Sequence, residues 1–154
     1  MDIFEYLAEE HNDIEEKLIE LTDNYDTWSR EKIFDHVKVV CDAIMGHLKK
    51  QQNILLNNLT QTTDLVALLK DAQDDRKKVE DEIGQLVMVH VDEPGYQEYL
   101  SNLLRVIEEH ISFSKSFYAK LKANANPAEL KKINDSLKEM VLHTSEYNAI
   151  QTQA

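Results

Sequence analysis

A chain of 154 residues is one domain's worth, and at that length roughly 70% of the unfolded surface can be buried, enough for a core without disulfides. Its 29 acidic against 17 basic residues give a formal net charge of -12, which repels phosphate backbones and anionic lipid headgroups over a Debye length and argues against nucleic acid or membrane partners. Three Gly and two Pro leave little for tight β-turns, and the abundance of Leu, Glu, Lys, Asp and Ala favours helix, so the expected class is all-α.

Phe4, Leu7, His11, Ile14, Leu18, Leu21 and Tyr25 recur at steps of three and four, one face of a helix predicted over about residues 2–26. Ser29 is the expected N-cap of a second helix, which carries Ile33, Val37, Val40, Ile44, His47, Gln51, Ile54 and Leu55 and ends near Leu59. The polar stretch 60–64 breaks the pattern. A third helix then presents Leu65, Leu69, Ala72, Arg76, Val79, Ile83, Leu86 and His90 inward. After Asp92, Glu93, Pro94 and Gly95 comes a fourth, with Tyr96, Leu100, Leu103, Ile107, His110, Ser114, Phe117 and Leu121 inward. Asn126, Pro127 and Glu129 read as N-cap, first helical residue and capping-box acid of a short fifth helix, with Leu130, Ile133, Leu137 and Val141 inward.

Short loops between long amphipathic helices require antiparallel neighbours, so the expected architecture is an up-down-up-down four-helix bundle. Its core bundle spans 1–122, with the fifth helix over 127–147 packed across it and a frayed polar tail at 148–154. No apolar run approaches the ~20 residues a bilayer needs, and the N-terminal Asp2 and Glu5 lack the basic flank of a signal peptide, so a cytoplasmic location is expected. Cys41 is the one cysteine, so no intramolecular disulfide forms and the thiol is expected to pack as a small hydrophobe.

Each helical residue advances ~1.5 Å, so counting from each turn finds the residues that share a height. From Trp28, His11 is 17 residues back and His47 is 19 forward. From Thr62, His47 is 15 back and Arg76 is 14 forward, and from Glu93, Arg76 and His110 are each 17 away. Positions 11, 47, 76 and 110 are thus expected to form one layer inside the bundle. Convergent polar groups in a bundle core are how such folds build metal sites.

The phrase His11, Asn12, Asp13, Ile14, with a histidine on each of helices 2 and 4, resembles the hemerythrin family of cation-binding domains over residues 1 to about 122. That family carries a carboxylate four residues after the helix 2 and helix 4 histidines and one or two histidines on helix 3. Here Gln51 and Ser114 stand in place of the carboxylates and Arg76 in place of the helix 3 histidine. The resemblance implies relatives that bind or sense oxygen or iron, or handle reactive nitrogen species.

Those substitutions disfavour a di-iron centre. Neutral Gln51 and Ser114 bridge two ions poorly, and the guanidinium of Arg76 has no lone pair to offer and repels a cation. The expected site is at most mononuclear, with iron or zinc held by His11, His47 and His110 and a carboxylate added by Glu80 or Glu15. A small diatomic ligand is expected only where iron is the ion. The alternatives are a metal-free core, in which Arg76 takes over the ion's electrostatic role, and a module that binds a protein partner through its acidic surface or its fifth helix. His90, ~21 Å along the helix from Arg76, is expected at a helix end, while His36 and His143 read as edge residues. The mixed charges of residues 71–82 read as a solvated face. No phosphate-binding Gly loop, nucleophile elbow or cysteine cluster points to an enzyme.

Overall fold

The computed structural model describes the backbone of residues 1–153 and the side chains of residues 1–144. It contains five α-helices: α1 (Ile3–Asp23), α2 (Arg30–Lys50), α3 (Thr63–Val87), α4 (Tyr96–Asn124) and α5 (Pro127–Gln153). Among the described residues no strand occurs and no helix is long and apolar enough to cross a membrane.

Local chemistry sets the helix starts. At α1 the Glu5 amide donates to Asp2 Oδ1 at 2.8 Å and the Asp2 amide to Glu5 Oε2 at 3.3 Å, a reciprocal capping box. Ser29 caps α2 as expected, its Oγ accepting from the Lys32 amide at 3.1 Å. The helix predicted to reach Leu59 is α-helical only to Lys50. It then widens into a π-helical segment, Gln51–Leu55, and tightens into a 3₁₀ turn, Leu56–Asn58. The wider turn shifts the helical register, and the adjacent Leu55 and Leu56 are both buried.

Helix α1 packs against α2 and α4, and α3 packs against α4 and α2, closing a ring of four helices. Two apolar clusters fill it. The α5-side cluster joins Ile3, Phe4 and Leu7 to Leu55, Leu65, Ala72, Phe117, Leu121, Ile133 and Leu137. The distal cluster joins Ile14, Leu18 and Leu21 to Ile33, Ile44, Val79, Ile83, Leu103 and Ile107. All five buried polar side chains among the described residues fall on the same helices where these clusters meet: His11, His47, Gln51, His110 and Ser114.

The fifth helix differs from its expected form. It is 27 residues long rather than short, because nothing after Pro127 is a Gly or a Pro that would stop it. Its backbone is helical to Gln153, past the expected boundary at 147; the side chains of the expected tail, 148–154, and all of Ala154 lie outside the described residues. Asn126 Oδ1 accepts from the Ala128 amide at 2.8 Å. Glu129 does not complete the expected capping box. Its carboxylate instead accepts from the amide and hydroxyl of Thr60, tying the start of α5 to the loop before α3. Ile133 and Leu137 are buried as expected, whereas Val141 is 42% exposed.

Candidate metal centre

His11 on α1, His47 on α2 and His110 on α4 are each buried, and one ring nitrogen from each lies within 4.8 Å of the others. The rings of His11 and His47 are 4.4 Å apart between centroids, and those of His11 and His110 are 4.9 Å apart, edge to face. Three helices therefore bring their histidines together as the loop counting requires.

The outer ring nitrogens are held by carboxylates from neighbouring helices. Nδ1 of His47 lies 3.1 Å from Oε1 of Glu10 on α1, and Nδ1 of His110 lies 2.5 Å from Oδ2 of Asp75 on α3. The other Glu10 oxygen accepts from the Lys50 ammonium at 2.5 Å, and that ammonium also donates to the Tyr6 hydroxyl at 3.1 Å. On the inner side, Nε2 of His11 and Nε2 of His110 are 3.1 Å apart. The Nε2 of His47 is buried without any hydrogen-bond partner.

The histidines line a cavity of about 10 Å³ closed on its other sides by Ile14, Ile44, Leu48, Val79 and Ile107. A space of that size holds one atom or ion of water's dimensions. Imidazole nitrogens ~2.0–2.1 Å from a tetrahedral ion are ~3.3 Å from one another, close to the separation of the two inner nitrogens. Burial pushes the His11 imidazole down to about 2, reinforced by its His47 and His110 neighbours, and burial likewise lowers His47 against the raising influence of Glu10. Glu10 itself is lowered: burial opposes ionisation, but the hydrogen bonds from His47 and Lys50 outweigh it. The rings of His11 and His47 are thus neutral near pH 7, the state in which an imidazole ligates.

Gln51 and Ser114 lie one turn beyond His47 and His110, both buried. The Gln51 Oε1 accepts from the Tyr118 hydroxyl at 2.7 Å, and the Tyr118 ring lies parallel to that of His11 at 6.2 Å. Burial raises the Tyr118 phenol, so it remains a donor. The Ser114 hydroxyl is buried and makes no hydrogen bond of good geometry, although it lies near enough to the Tyr118 phenol to oppose the effect of burial there.

Arg76 does not occupy the layer. It is 30% exposed and its Nε donates to Glu80 Oε1 at 2.5 Å, one turn along the same helix. At ~100° per residue, positions 75 and 76 fall on opposite flanks of the buried stripe formed by Ala72, Val79 and Ile83. The α4 flank belongs to Asp75, and the residue of α3 that faces the histidines is Val79. Glu80 is engaged by Arg76 and Glu15 is half-buried on α1; neither joins the three-histidine group. Sequence reasoning missed Glu10, Asp75 and Tyr118. Tyr118 was accessible to it, since 110, 114 and 118 share one helix face at steps of four.

The other histidines lie elsewhere. His90, expected on the inward face of the third helix, instead lies past the end of α3, is 69% exposed and lies 3.4 Å from Asp92, and His36 is half-buried against Trp28. His143 on α5 is exposed. Cys41 is buried, with its thiol pushed up to about 11 chiefly by that burial. Asp71, Asp74, Asp75 and Glu109 border a surface cleft of about 320 Å³ through which Asp75 meets solvent. A separate apolar groove of about 480 Å³, flanked by exposed Phe34 and Met88, shares no lining residue with the histidine cavity. Compared with known protein families, with curated proteins and with solved structures, the chain finds no match.

Proposed function

We propose that the chain is a hemerythrin-like, up-down-up-down four-helix bundle that holds one transition-metal ion, iron or zinc, on the Nε2 atoms of His11, His47 and His110, in a binding or regulatory rather than catalytic role. The alternating direction is supported by the order in which the helices traverse the two apolar clusters. Helices α1 and α3 run from the α5-side cluster to the distal one, while α2 and α4 run back.

The observation that carries the metal reading is the His47 ring. Its Nδ1 is committed to Glu10, and its Nε2 is sealed from water with no partner beside two further imidazoles. A buried polar atom left unpaired costs about 1–3 kcal/mol, and a metal ion at the shared cavity removes that cost. A single ion fits better than two. Glu10 and Asp75 stand behind the rings rather than between them, and the Gln51 oxygen is occupied by Tyr118. The ion supplies Lewis acidity and, if it is iron, a position for a small diatomic molecule.

Protein expressed in medium supplemented with iron and zinc is expected to carry about one equivalent of metal per chain, measured by elemental analysis, and to gain ~2.7 kcal/mol of stability at 100 times the dissociation constant. Fewer than ~0.1 equivalent together with no thermal stabilisation on adding metal would falsify the reading. That result would favour the competing one, a metal-free module that binds another protein. The groove flanked by Phe34 and Met88, 54% and 87% exposed, is the feature that favours it.

A further inference from the structure

We propose that Glu10 and Asp75 are positioning residues that hold His47 and His110 as their Nδ1–H tautomers, and that His11 is the one ligand that changes tautomer when the ion arrives. The proposal rests on the metal-binding reading for its second half only. An ionised carboxylate accepts and cannot donate. The second Glu10 oxygen accepts from the Lys50 ammonium at 2.5 Å, a contact that favours the carboxylate form, so the hydrogen between Glu10 and His47 resides on Nδ1. A neutral imidazole has one N–H, and the His47 Nε2 is therefore a bare lone pair. At His110 the Nδ1 lies 2.5 Å from the Asp75 Oδ2, and a carboxylate oxygen that accepts there leaves the hydrogen on Nδ1 and the Nε2 bare.

His11 has no carboxylate partner among its described hydrogen bonds, and its Nε2 faces the His110 Nε2 at 3.1 Å. Two nitrogens at that distance need one hydrogen between them. His110 has already spent its N–H on Asp75, so His11 supplies it from Nε2. An ion held by all three rings requires that nitrogen to be bare. The proton must then leave Nε2 of His11 while another is taken up at Nδ1; the ring stays neutral and no net proton is released. Two ligands are thus set in advance by carboxylates crossing from α1 to α2 and from α3 to α4, and the third hydrogen-bonds to one of them until the ion displaces that hydrogen.

Nitrogen-15 NMR of the imidazole rings tests this on the unaltered chain. In chelator-treated protein at neutral pH, His47 and His110 should appear as Nδ1–H tautomers and His11 as Nε2–H. Adding one equivalent of zinc should convert His11 alone to Nδ1–H. Finding His47 or His110 as the Nε2–H form, His110 with both nitrogens protonated, or His11 already as Nδ1–H without metal, overturns the assignment. If zinc fails to bind, the metal-free spectrum still decides the tautomers, and the failure belongs to the metal reading. The variants Glu10→Gln and Asp75→Asn should each weaken zinc binding ~10- to 100-fold and mix the tautomers of the histidine they contact, with partial recovery in Glu10→Asp and Asp75→Glu. Unchanged affinity with unchanged tautomers would leave the carboxylates a purely structural role.

Discussion

His11 is an imidazole placed where an uncharged side chain belongs, and its burial has a thermodynamic sign. Burial takes its folded-state value from 6.5 down to about 2, so below pH ~6.5 the unfolded chain binds a proton that the folded chain refuses. Stability is therefore complete above that pH and declines as acid is added, by about 1.4 kcal/mol per pH unit for each such histidine. His47 adds to the decline with the same sign, since burial lowers it too. Urea unfolding of metal-stripped protein should show a midpoint that falls steadily from pH 7 to pH 5, with a shallower fall in His11→Gln. A flat profile would mean that the imidazole is open to water.

At the scale of the helix, α3 shows how a stripe assigns its flanking residues. Its buried face is drawn by Leu65, Ala72, Val79, Ile83 and Leu86, and residues 75 and 76 sit on either edge. Equal spacing along the sequence cannot say which edge meets α4. Packing gave that edge to Asp75 and turned Arg76 toward Glu80, where both partners remain about one-third exposed. An exposed pair of this kind contributes about 0.3–0.5 kcal/mol. Arg76→Ala should accordingly shift the urea midpoint by no more than such a value implies and leave zinc affinity as it was. A loss of several kcal/mol would restore Arg76 to the buried layer. The π-helical segment after His47 is a second decision made at this scale. The extra residue in its wider turn adjusts the register between His47 and Leu55, so that Gln51 meets Tyr118 while Leu55 and Leu56 both reach the α5-side cluster.

Across the whole molecule, a polar layer divides the core into two apolar clusters. Such a layer is a cost to folding unless something satisfies it, and residues that serve binding are commonly retained at the expense of stability. Replacing a buried polar group set with apolar groups of similar volume is often neutral or stabilising. The triple variant His11→Leu, His47→Leu, His110→Leu should melt higher than the metal-stripped parent and show no shift on adding zinc. A lower melting point with a retained zinc response would show that the layer is structural and that the ion binds elsewhere.

The helices, most of their inward stripes and the shared height of His11, His47 and His110 were legible in the residues, because helical periodicity and rise are properties of the backbone that any observer can count, whereas Arg76, His90 and Val141, expected inward, are partly or largely exposed. Ser29 and Asn126 were legible as caps for the same local reason. The carboxylates behind the rings were not. Glu10 and Asp75 sit on helix flanks, and a flank residue's partner depends on which neighbour stands beside it and at what rotation. The same holds for Glu129, which obeys a local capping pattern yet bonds to Thr60 across the fold. Periodicity assigns each residue to a face of its own helix; only the packing of one helix against the next decides which side chain that face will meet.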